Sequence, residues 1–335
     1  MERKVNVRGI GTKRRRDDEK KEVSQKRQKV CSNTPLISDY FFPFRTRSSS
    51  ALSISDDALS VVFQFLDWRQ LISRYRTVCR RWNRIAPKSV RVMGVYPDVI
   101  EKSLEFLSEF TLLRKLVLYG NRYTSHSLSH VSKLTLLKHL DVSFTQTTDA
   151  GLKHLSKLNS LQELDIRETK ITDAGLAHLS QLTSLQTLVL SRNEITDAGL
   201  KHLSGLTLLQ ELIIDWTEIT DAGLAHLSGL TSLRMLDLDG CDITGTGFVY
   251  LSGLTSLRKL DLSRTRITDA GLAHLSELTS LQELDLDESD ITNAGLKHLV
   301  GLPLLRFGNC CQTKATHNYI EDFLNEFNNQ VQNCP

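Results

Sequence analysis

The feature that most constrains the fold of this chain is a sequence repeat with a period of 24 residues. The stretch GLAHLSQLTSLQTLVL at residues 175–190 returns as GLAHLSELTSLQELDL at residues 271–286, four periods later. Successive copies begin without a slip at Leu113, Leu137, Leu161, Leu185, Leu209, Leu233, Leu257 and Leu281, and Leu305 begins a ninth, degenerate copy. Such a period indicates a stacked array of similar units rather than one globular core.

Each copy contains the pattern LxxLxL, followed by a small polar residue and usually an isoleucine. The third copy shows it at Leu161, Leu164, Ile166, Thr169 and Ile171. The LxL alternation predicts a short strand whose leucines face inward while the residues between them face outward. The ITDAGLxHL stretch that follows changes to helical spacing and predicts a short helix. Thr172 or Asp173 can cap that helix, and the sequence leaves open which of them does so.

This pattern resembles the leucine-rich repeat over residues 113 to about 310. The resemblance implies an α/β leucine-rich-repeat solenoid, a horseshoe of parallel strands and short helices, over residues 89–310. Residues 90–110 predict a divergent first unit, with Ile100, Leu104, Leu107 and Phe110 at helical spacing. Residues 311–335 predict a C-terminal cap helix, because an uncovered stack of leucines would aggregate.

Residues 51–88 lack the 24-residue period and predict three short helices in a small all-α domain. A domain of this size buries little surface unaided, so it is expected to need a partner. The segment resembles the F-box, which ties a substrate receptor to the Skp adaptor of a Skp–cullin–F-box ubiquitin ligase. Residues 62–66, VFQFL, match the family's IFxxL core, and residues 78–82, VCRRW, match its VCKxW motif. Ser55 stands where the family has a proline.

The F-box resemblance implies a non-catalytic substrate-recognition subunit whose partners are the Skp adaptor and, through it, a cullin. The adaptor-facing residues it implies are Ile54, Leu59, Val62, Phe63, Leu66, Leu71, Val78, Cys79 and Trp82. The alternative is that residues 51–88 are only a helical cap, which leaves a leucine-rich-repeat binding scaffold without ligase attachment. The phrase TDAGLxHL also resembles the GALA-type repeats of bacterial effectors that combine an F-box with repeats.

The strand side of the solenoid is the expected binding surface for a protein substrate. Positions 3, 5, 7, 8 and 10 of the eight copies include seventeen acids and eight Lys or Arg, which predicts a negative concave face and favours a basic partner. Near the middle, Thr187, Val189, Ile213 and an exposed Trp216 predict an apolar island suited to anchoring that partner. The alternative is that Trp216 folds down onto neighbouring repeats. The predicted substrate-binding residues are Phe144, Arg167, Val189, Arg192, Ile213, Asp215, Trp216, Asp239 and Arg264.

Residues 1–50 predict a disordered basic tail and linker. The first 30 residues hold twelve Lys or Arg and five acids, a net charge of +7. Two basic clusters separated by ten residues resemble a bipartite nuclear import signal. The resemblance implies binding to a nuclear import receptor through Arg14, Arg15, Lys26, Arg27 and Lys29. A tail without a role is an alternative, and so is nucleic-acid binding, which the lack of interleaved aromatics and of a base-reading fold disfavours.

Several functional classes are disfavoured by what the sequence lacks. No apolar run approaches the roughly 20 residues that span a bilayer, and the N-terminus is too charged for a secretory signal. The six cysteines form no CxxC pair, which favours a reducing compartment. Histidines recur at the repeat period from His130 to His298, but a column spread along a solenoid does not converge as metal ligands must. No enzyme motif is visible, so no catalytic residue, cofactor or metal is expected, and the expected location is nuclear, cytoplasmic or both.

Overall fold

The computed structural model describes residues 88–95, 101–309 and 313–315. Within them, ten strands form one parallel sheet in which each strand pairs with the next along the chain. The strands are β1 (Val92–Val95), β2 (Lys115–Leu118), β3 (His139–Asp141), β4 (Glu163–Asp165), β5 (Thr187–Val189), β6 (Glu211–Ile213), β7 (Met235–Asp237), β8 (Lys259–Asp261), β9 (Glu283–Asp285) and β10 (Arg306–Asn309). Leu140 pairs with Leu164 and Leu164 with Leu188, so one sequence period equals one step across the sheet.

Short helices return the chain from each strand to the next. The α-helices are α1 (Ser125–Val131), α2 (Asp149–Leu152), α3 (Asp173–Leu176), α4 (Asp197–Leu200), α5 (Asp269–Ala273) and α6 (Asn293–Leu296). Turns of 3₁₀-helix cover Glu101–Glu109, Lys153–Leu155, Ala177–Leu179, Lys201–Leu203, Gly223–Leu227, Thr246–Leu251, His274–Glu277 and Lys297–Leu299. The predicted helical segments are therefore present but short, because each 24-residue unit must also contain a strand and two turns.

The leucines and isoleucines of the repeat pattern form one continuous core. In the third repeat, Leu161, Leu164, Ile166, Ile171, Leu176 and Leu179 are all at most 1% exposed. Burying one such side chain stabilises the fold by about 1.5–3 kcal/mol. Leu104, Leu107 and Phe110 are buried in the same core. Together with β1 they form a first unit of the predicted kind, although its helix is 3₁₀ rather than α. Ile100, the fourth residue of that prediction, lies outside the described residues.

Thr and Asp side chains join successive repeats along the helix side in what we call the Thr–Asp ladder. With the first leucine of each repeat as position 1, the ladder consists of Thr at position 12 and Asp at position 13. The hydroxyl of Thr172 accepts the N–H of Ala174 and caps α3. Asp173 accepts instead from the N–H (2.9 Å) and the hydroxyl (2.7 Å) of Thr196, one repeat further on. Thr172 is therefore the helix cap, and Asp173 connects two repeats.

The same pair of bonds recurs along the chain, and it explains the glycine of the DAGL phrase. Asp149, Asp197, Asp221 and Asp269 each accept from both groups of the next threonine. A Cβ at Gly199 would press against Oδ1 of Asp173 and lie 3.1 Å from Cδ1 of Leu176. The glycine is thus required by the space that the preceding aspartate occupies, since its φ is not positive.

Two of the described junctions depart from this ladder. Between repeats 1 and 2, Ser125 takes the place of the aspartate and its Oγ accepts the N–H of Thr148 at 2.9 Å, whereas between repeats 6 and 7 the side-chain acceptor is missing. Repeat 6 has Gly245 at position 13, with a φ of 98°, and the N–H of Thr268 donates instead to the carbonyl of Thr244 at 3.1 Å. On the other side of the same repeat, Asp221 accepts the N–H groups of Gly245 and Gly247 as well as that of Thr244. On the helix side, repeat 6 is therefore joined to repeat 5 by more side-chain bonds than to repeat 7.

The predicted basic tail (1–50), nearly all of the predicted F-box (51–88) and most of the predicted C-terminal cap (311–335) lie outside the described residues. Within the described part of the chain, no helix is both long enough and apolar enough to cross a bilayer.

Candidate functional site on the sheet face

The strand side of the repeats, called here the sheet face, carries the side chains of positions 3 and 5 and of the turn at positions 7 and 8. Side chains alternate along a strand, so burial of the position-4 and position-6 residues leaves positions 3 and 5 on the opposite side. Position 5 is aspartate in five repeats. It is apolar in the other three, repeats 1, 4 and 5, where it is Val117, Val189 and Ile213.

A turn of constant conformation ends each strand. The position-5 aspartate accepts the N–H of position 7 in its own repeat, as Asp237 does from Asp239 and Asp261 from Ser263, both at 3.0 Å. Position 8 has a φ of 48° to 98° in all eight full repeats: Gly120, Phe144, Glu168, Arg192, Trp216, Gly240, Arg264 and Glu288. This left-handed conformation costs a residue other than glycine about 1 kcal/mol or more. We call these eight residues the position-8 row.

Trp216 is at the centre of the position-8 row. Its ring lies against Gly240, where an added Cβ would be 2.9–3.1 Å from three ring atoms. The guanidinium carbons of Arg192 and Arg264 are each 5.4 Å from the ring centroid. The indole N–H donates to Oδ2 of Asp239 at 3.2 Å. The Trp216 side chain therefore packs onto the next repeat, which was the alternative prediction, and it is only partly exposed.

Carboxylates hold both arginines beside the ring. Arg264 forms two hydrogen bonds with Asp239, one of them at 2.9 Å from Nε, and also lies 3.8 Å from Glu288. Nε of Arg192 lies 3.7 Å from Oε1 of Glu168. Arginine and tryptophan are the residues most often responsible for binding energy at protein interfaces, and here both are fixed before any partner arrives.

The predicted apolar island is present but smaller than expected. Val189 pairs with Ile213 across the sheet, between Asp165 on one side and Asp237 on the other. Val189 is only 5% exposed, so its prediction as a contact residue is corrected: its neighbours cover it. Ile213 and Trp216 are partly exposed and supply the accessible apolar surface.

Aspartates crowd the sheet face on the C-terminal side of the island. Burial raises the pKa of Asp237 to about 7, and the nearby carboxylates of Asp261, Asp215 and Asp239 add to the effect. Burial also raises the pKa of Asp239, against the opposing effect of Arg264. Within the described residues, no Lys or Arg pairs with Asp237 or Asp261 or with Asp285 of the next repeat. Carboxyl groups without a basic partner are therefore concentrated in repeats 5 to 8, where Asp237 is only partly ionised at neutral pH.

The structure brings some of the predicted substrate-binding residues together and leaves others apart. Arg192, Ile213, Asp215, Trp216, Asp239 and Arg264 lie in or beside the island. Phe144 is three repeats before Trp216 in the position-8 row, about 14 Å along the sheet at the usual strand spacing. Arg167 lies two repeats before Trp216 and is engaged by Asp165, with an Nε–Oδ1 distance of 2.9 Å.

A shallow depression of about 310 Å³ lies on the sheet face near its N-terminal end. Its lining includes Lys115, His139, Asp141, Glu163 and Asp165. Nδ1 of His139 is 2.6 Å from Oε2 of Glu163. At this end the position-5 aspartate of repeat 3, Asp165, is paired with Arg167, whereas the position-5 aspartates of repeats 6 to 8 have no such partner among the described residues.

Three residues that fix Trp216 and its arginines were missed from the sequence: Glu168, Gly240 and Glu288. A signal for them was available. Two glycines among the eight position-8 residues indicate a left-handed turn. Equal spacing then places Arg192, Trp216 and Gly240 in one row, with each residue next to its neighbour one repeat away.

The described residues also include histidines and one cysteine, Cys241. Among them, no group of three or more His, Cys, Asp or Glu side chains is arranged to hold a metal ion. Of the histidine column, His154, His178, His202 and His226 are partly buried, whereas His274 and His298 are exposed. Burial raises the pKa of the Cys241 thiol to about 11, so it is protonated at neutral pH. Its sulfur lies 3.6 Å from the hydroxyl of Thr217, as part of the repeat packing.

The implied adaptor-facing residues, from Ile54 to Trp82, and the implied import residues, from Arg14 to Lys29, lie outside the described residues. Both sets stay predictions.

Comparisons with known families identify the repeats. A leucine-rich repeat region model matches residues 89–239, and a leucine-rich repeat model matches residues 229–252, 253–276 and 277–300. The chain is therefore a leucine-rich-repeat protein. No F-box model is among the matches. A comparison with curated proteins finds no match.

Solved structures agree with this class. A leucine-rich-repeat protein of Leptospira interrogans is 17% identical, with 74% of this chain and 70% of that chain covered and a TM-score of 0.52. TLR13, in a complex with an ssRNA, is 20% identical, with 69% of this chain and 34% of that chain covered and a TM-score of 0.51. At these identities both likenesses show the fold alone. Internalin C2 of Listeria monocytogenes is 27% identical over 58% of this chain and 80% of its own, with a TM-score of 0.45.

Proposed function

We propose that this chain is a protein-binding scaffold whose sheet face around Trp216 anchors a partner protein. The observation that carries the proposal is Trp216 itself, fixed against Gly240 and between Arg192 and Arg264. A partly exposed tryptophan in a preformed arginine setting loses little conformational entropy on binding. The flanking unpaired aspartates favour a basic partner through electrostatic complementarity.

We further propose that the scaffold is the non-catalytic substrate receptor of a Skp–cullin–F-box ubiquitin ligase. The resemblance of residues 51–88 to the F-box supports this, with Trp82 as the main adaptor anchor. A receptor of this kind accelerates ubiquitin transfer by holding the substrate near the ligase, which requires no active site of its own. The bipartite basic clusters of residues 14–29 support nuclear import of the receptor.

A scaffold without ligase attachment is the second candidate function. Two observations favour it: no F-box family model matches the chain, and Ser55 replaces the family's proline. In that case residues 51–88 serve as a cap for the repeats. A scaffold of this kind is expected to bind the same partner but not the adaptor.

Two tryptophan variants of the full chain separate these functions. Trp82→Ala is expected to weaken binding of purified Skp adaptor by about 2 kcal/mol or more, because it removes an interface anchor. Trp216→Ala is expected to leave adaptor binding unchanged and to weaken capture of the partner protein. Surface plasmon resonance measures the adaptor, and quantitative mass spectrometry of co-purified proteins measures the partner. Each variant is the control for the other.

The possible outcomes are distinct. A wild-type chain that does not bind the adaptor rules out the ligase proposal and leaves the scaffold. A set of co-purified proteins that Trp216→Ala does not change rules out the sheet face around Trp216 as the anchor. Circular dichroism of both variants verifies that the repeats stay folded.

A further inference from the structure

We propose that the sheet face of repeats 5 to 8 binds an extended protein segment with one apolar side chain and with Lys or Arg two and four residues away from it. The apolar side chain docks against Ile213 and Trp216, and the basic side chains lie over Asp237, Asp261 and Asp285. The inference rests on the proposed protein-binding function and specifies the chemistry of the partner.

The spacing of the sheet matches the spacing of such a segment. Ile213, Asp237, Asp261 and Asp285 are paired in that order on adjacent strands. At about 4.8 Å per strand, the three aspartates lie about 5, 10 and 14 Å from Ile213. Side chains on one side of an extended chain are about 7 Å apart, so the second and fourth residues lie at about 7 and 14 Å. The first basic side chain therefore falls between Asp237 and Asp261, and the second over Asp285.

Asp237, Asp261 and Asp285 each have a carboxylate oxygen available to a cation. In all three, Oδ1 accepts the N–H of the following turn, at 3.0 Å for Asp237 and Asp261 and at 3.1 Å for Asp285. Oδ2 makes no hydrogen bond within the described part of the chain in any of them. Burial and, to a smaller extent, the nearby carboxylates raise the pKa of Asp237, and a positive charge placed beside it opposes this shift.

The N-terminal end of the sheet face does not offer the same combination of an accessible apolar residue and a row of unpaired aspartates. Asp165 is occupied by Arg167, and Glu163 lies beside His139. In repeats 5 to 8, by contrast, the apolar residue Ile213 pairs directly with Asp237, the first of the three aspartates of repeats 6 to 8. Val117 of repeat 1 also pairs with an aspartate, Asp141, but Val117 is only 9% exposed and the next aspartate, Asp165, is paired. Among the described repeats, an accessible apolar residue beside three unpaired aspartates therefore occurs only in repeats 5 to 8, which sets the position of the segment.

Synthetic peptides test the proposal on the full chain by fluorescence anisotropy. The probes are labelled GSLSKSKSG and its reversed sequence, and the tighter of the two is used. Three control peptides change the leucine to serine, both lysines to glutamate, or the spacing, as in GSLKSKSSG. We expect the spacing control, which has the same composition, to bind at least about fivefold more weakly, because its lysines face away from the aspartates.

A matched pair of protein variants locates the site. Asp261→Asn keeps an oxygen for the N–H of Ser263 but loses the charge, and is expected to weaken probe binding at least about fivefold. Asp141→Asn makes the same change at the same repeat position in repeat 2, where Asp141 likewise accepts the N–H of Ser143, and is expected to stay within about twofold. Ile213→Thr, which keeps the branched Cβ, is expected to weaken binding by removing the apolar contact.

Three results would overturn the inference: no probe binding, equal binding of the spacing control, or equal losses in the two aspartate variants. If Asp261→Asn does not fold, the three control peptides decide the matter on the wild-type chain. Partner capture that depends on Trp216 without probe binding would reject only this inference. If the probe does not bind and partner capture does not depend on Trp216, the proposed scaffold function is rejected as well.

Discussion

Position 12 of the repeat is threonine in all eight copies, whereas position 8 holds five different residue types. The backbone at both positions is nevertheless constant. Position 12 is extended, with a φ near −119° at Thr148 and Thr172, and position 8 is left-handed in every full repeat. The difference lies in what the side chains meet: on the helix side they reach the next repeat's backbone, and on the sheet face they reach solvent and one another.

This contrast shows how one chain separates stability from recognition. A ladder aspartate is enclosed by the next repeat, since Asp173 bonds to Thr196 and occupies the space beside Gly199. Any change there has to be matched by a neighbour. On the sheet face such a match is needed only locally, where Gly240 leaves space for the ring of Trp216. The backbone there accepts Trp216 and Phe144 in the same conformation as a glutamate or a glycine. Changes on the helix side should therefore affect folding, and changes on the sheet face should affect charge and binding.

Among changes on the helix side, Gly199→Ala is expected to destabilise the fold most. The added methyl group meets Oδ1 of Asp173 and Cδ1 of Leu176, so we expect a loss of about 3 kcal/mol in the free energy of unfolding. This is the opposite of the usual helical preference, in which alanine is about 1 kcal/mol better than glycine. Urea unfolding followed by circular dichroism measures the loss.

Gly205→Ala is the matched control in the same repeat. No atom lies within 4 Å of the added methyl group there, and we expect a change of less than about 0.5 kcal/mol. Equal losses in the two variants would show that the packing of the ladder is not the reason for the glycine.

Asp173→Ala is expected to have the next largest effect. It leaves the N–H and the hydroxyl of Thr196 without their partner, which costs about 2 kcal/mol. Asp173→Asn keeps one acceptor oxygen, so its free energy of unfolding should lie between those of Asp173→Ala and the wild type. The control is Asp290→Ala, which removes an exposed ion pair with Lys314 and should cost less than about 0.5 kcal/mol. A ladder variant as stable as this control would contradict the role of Asp173.

The sequence allowed the core and the strand register to be predicted because apolar periodicity directly reflects burial. Leu161 and Leu164 are buried as their spacing indicates. The partner of Asp173 was not predictable in the same way: a TD pair before a helix suits a local cap, and only the stacking of repeats brings Thr196 within reach. The orientation of Trp216 likewise depends on Gly240, which is distant in sequence and adjacent only in the folded sheet.

Asp237→Asn tests how charge on the sheet face affects stability, and its expected effect on the free energy of unfolding is the smallest. The folded-state pKa of about 7 exceeds the ordinary value of 3.8, so the folded protein holds this proton more tightly than the unfolded chain. The resulting stabilisation is complete below the ordinary value and is lost as the pH rises through about 7. Asparagine does not titrate and can still accept the N–H of Asp239, so the variant should be more stable than the wild type at pH 8 by about 1–2 kcal/mol.

The measurement is urea unfolding of both proteins between pH 4 and 8. The difference in unfolding free energy, wild type minus variant, should fall steadily up to a pH of about 7 and then level off. Contributions from other titrating groups are common to both proteins and cancel. Parallel stability curves over the whole range would mean that neither burial nor the carboxylates of Asp261, Asp215 and Asp239 raise the pKa of Asp237 on folding.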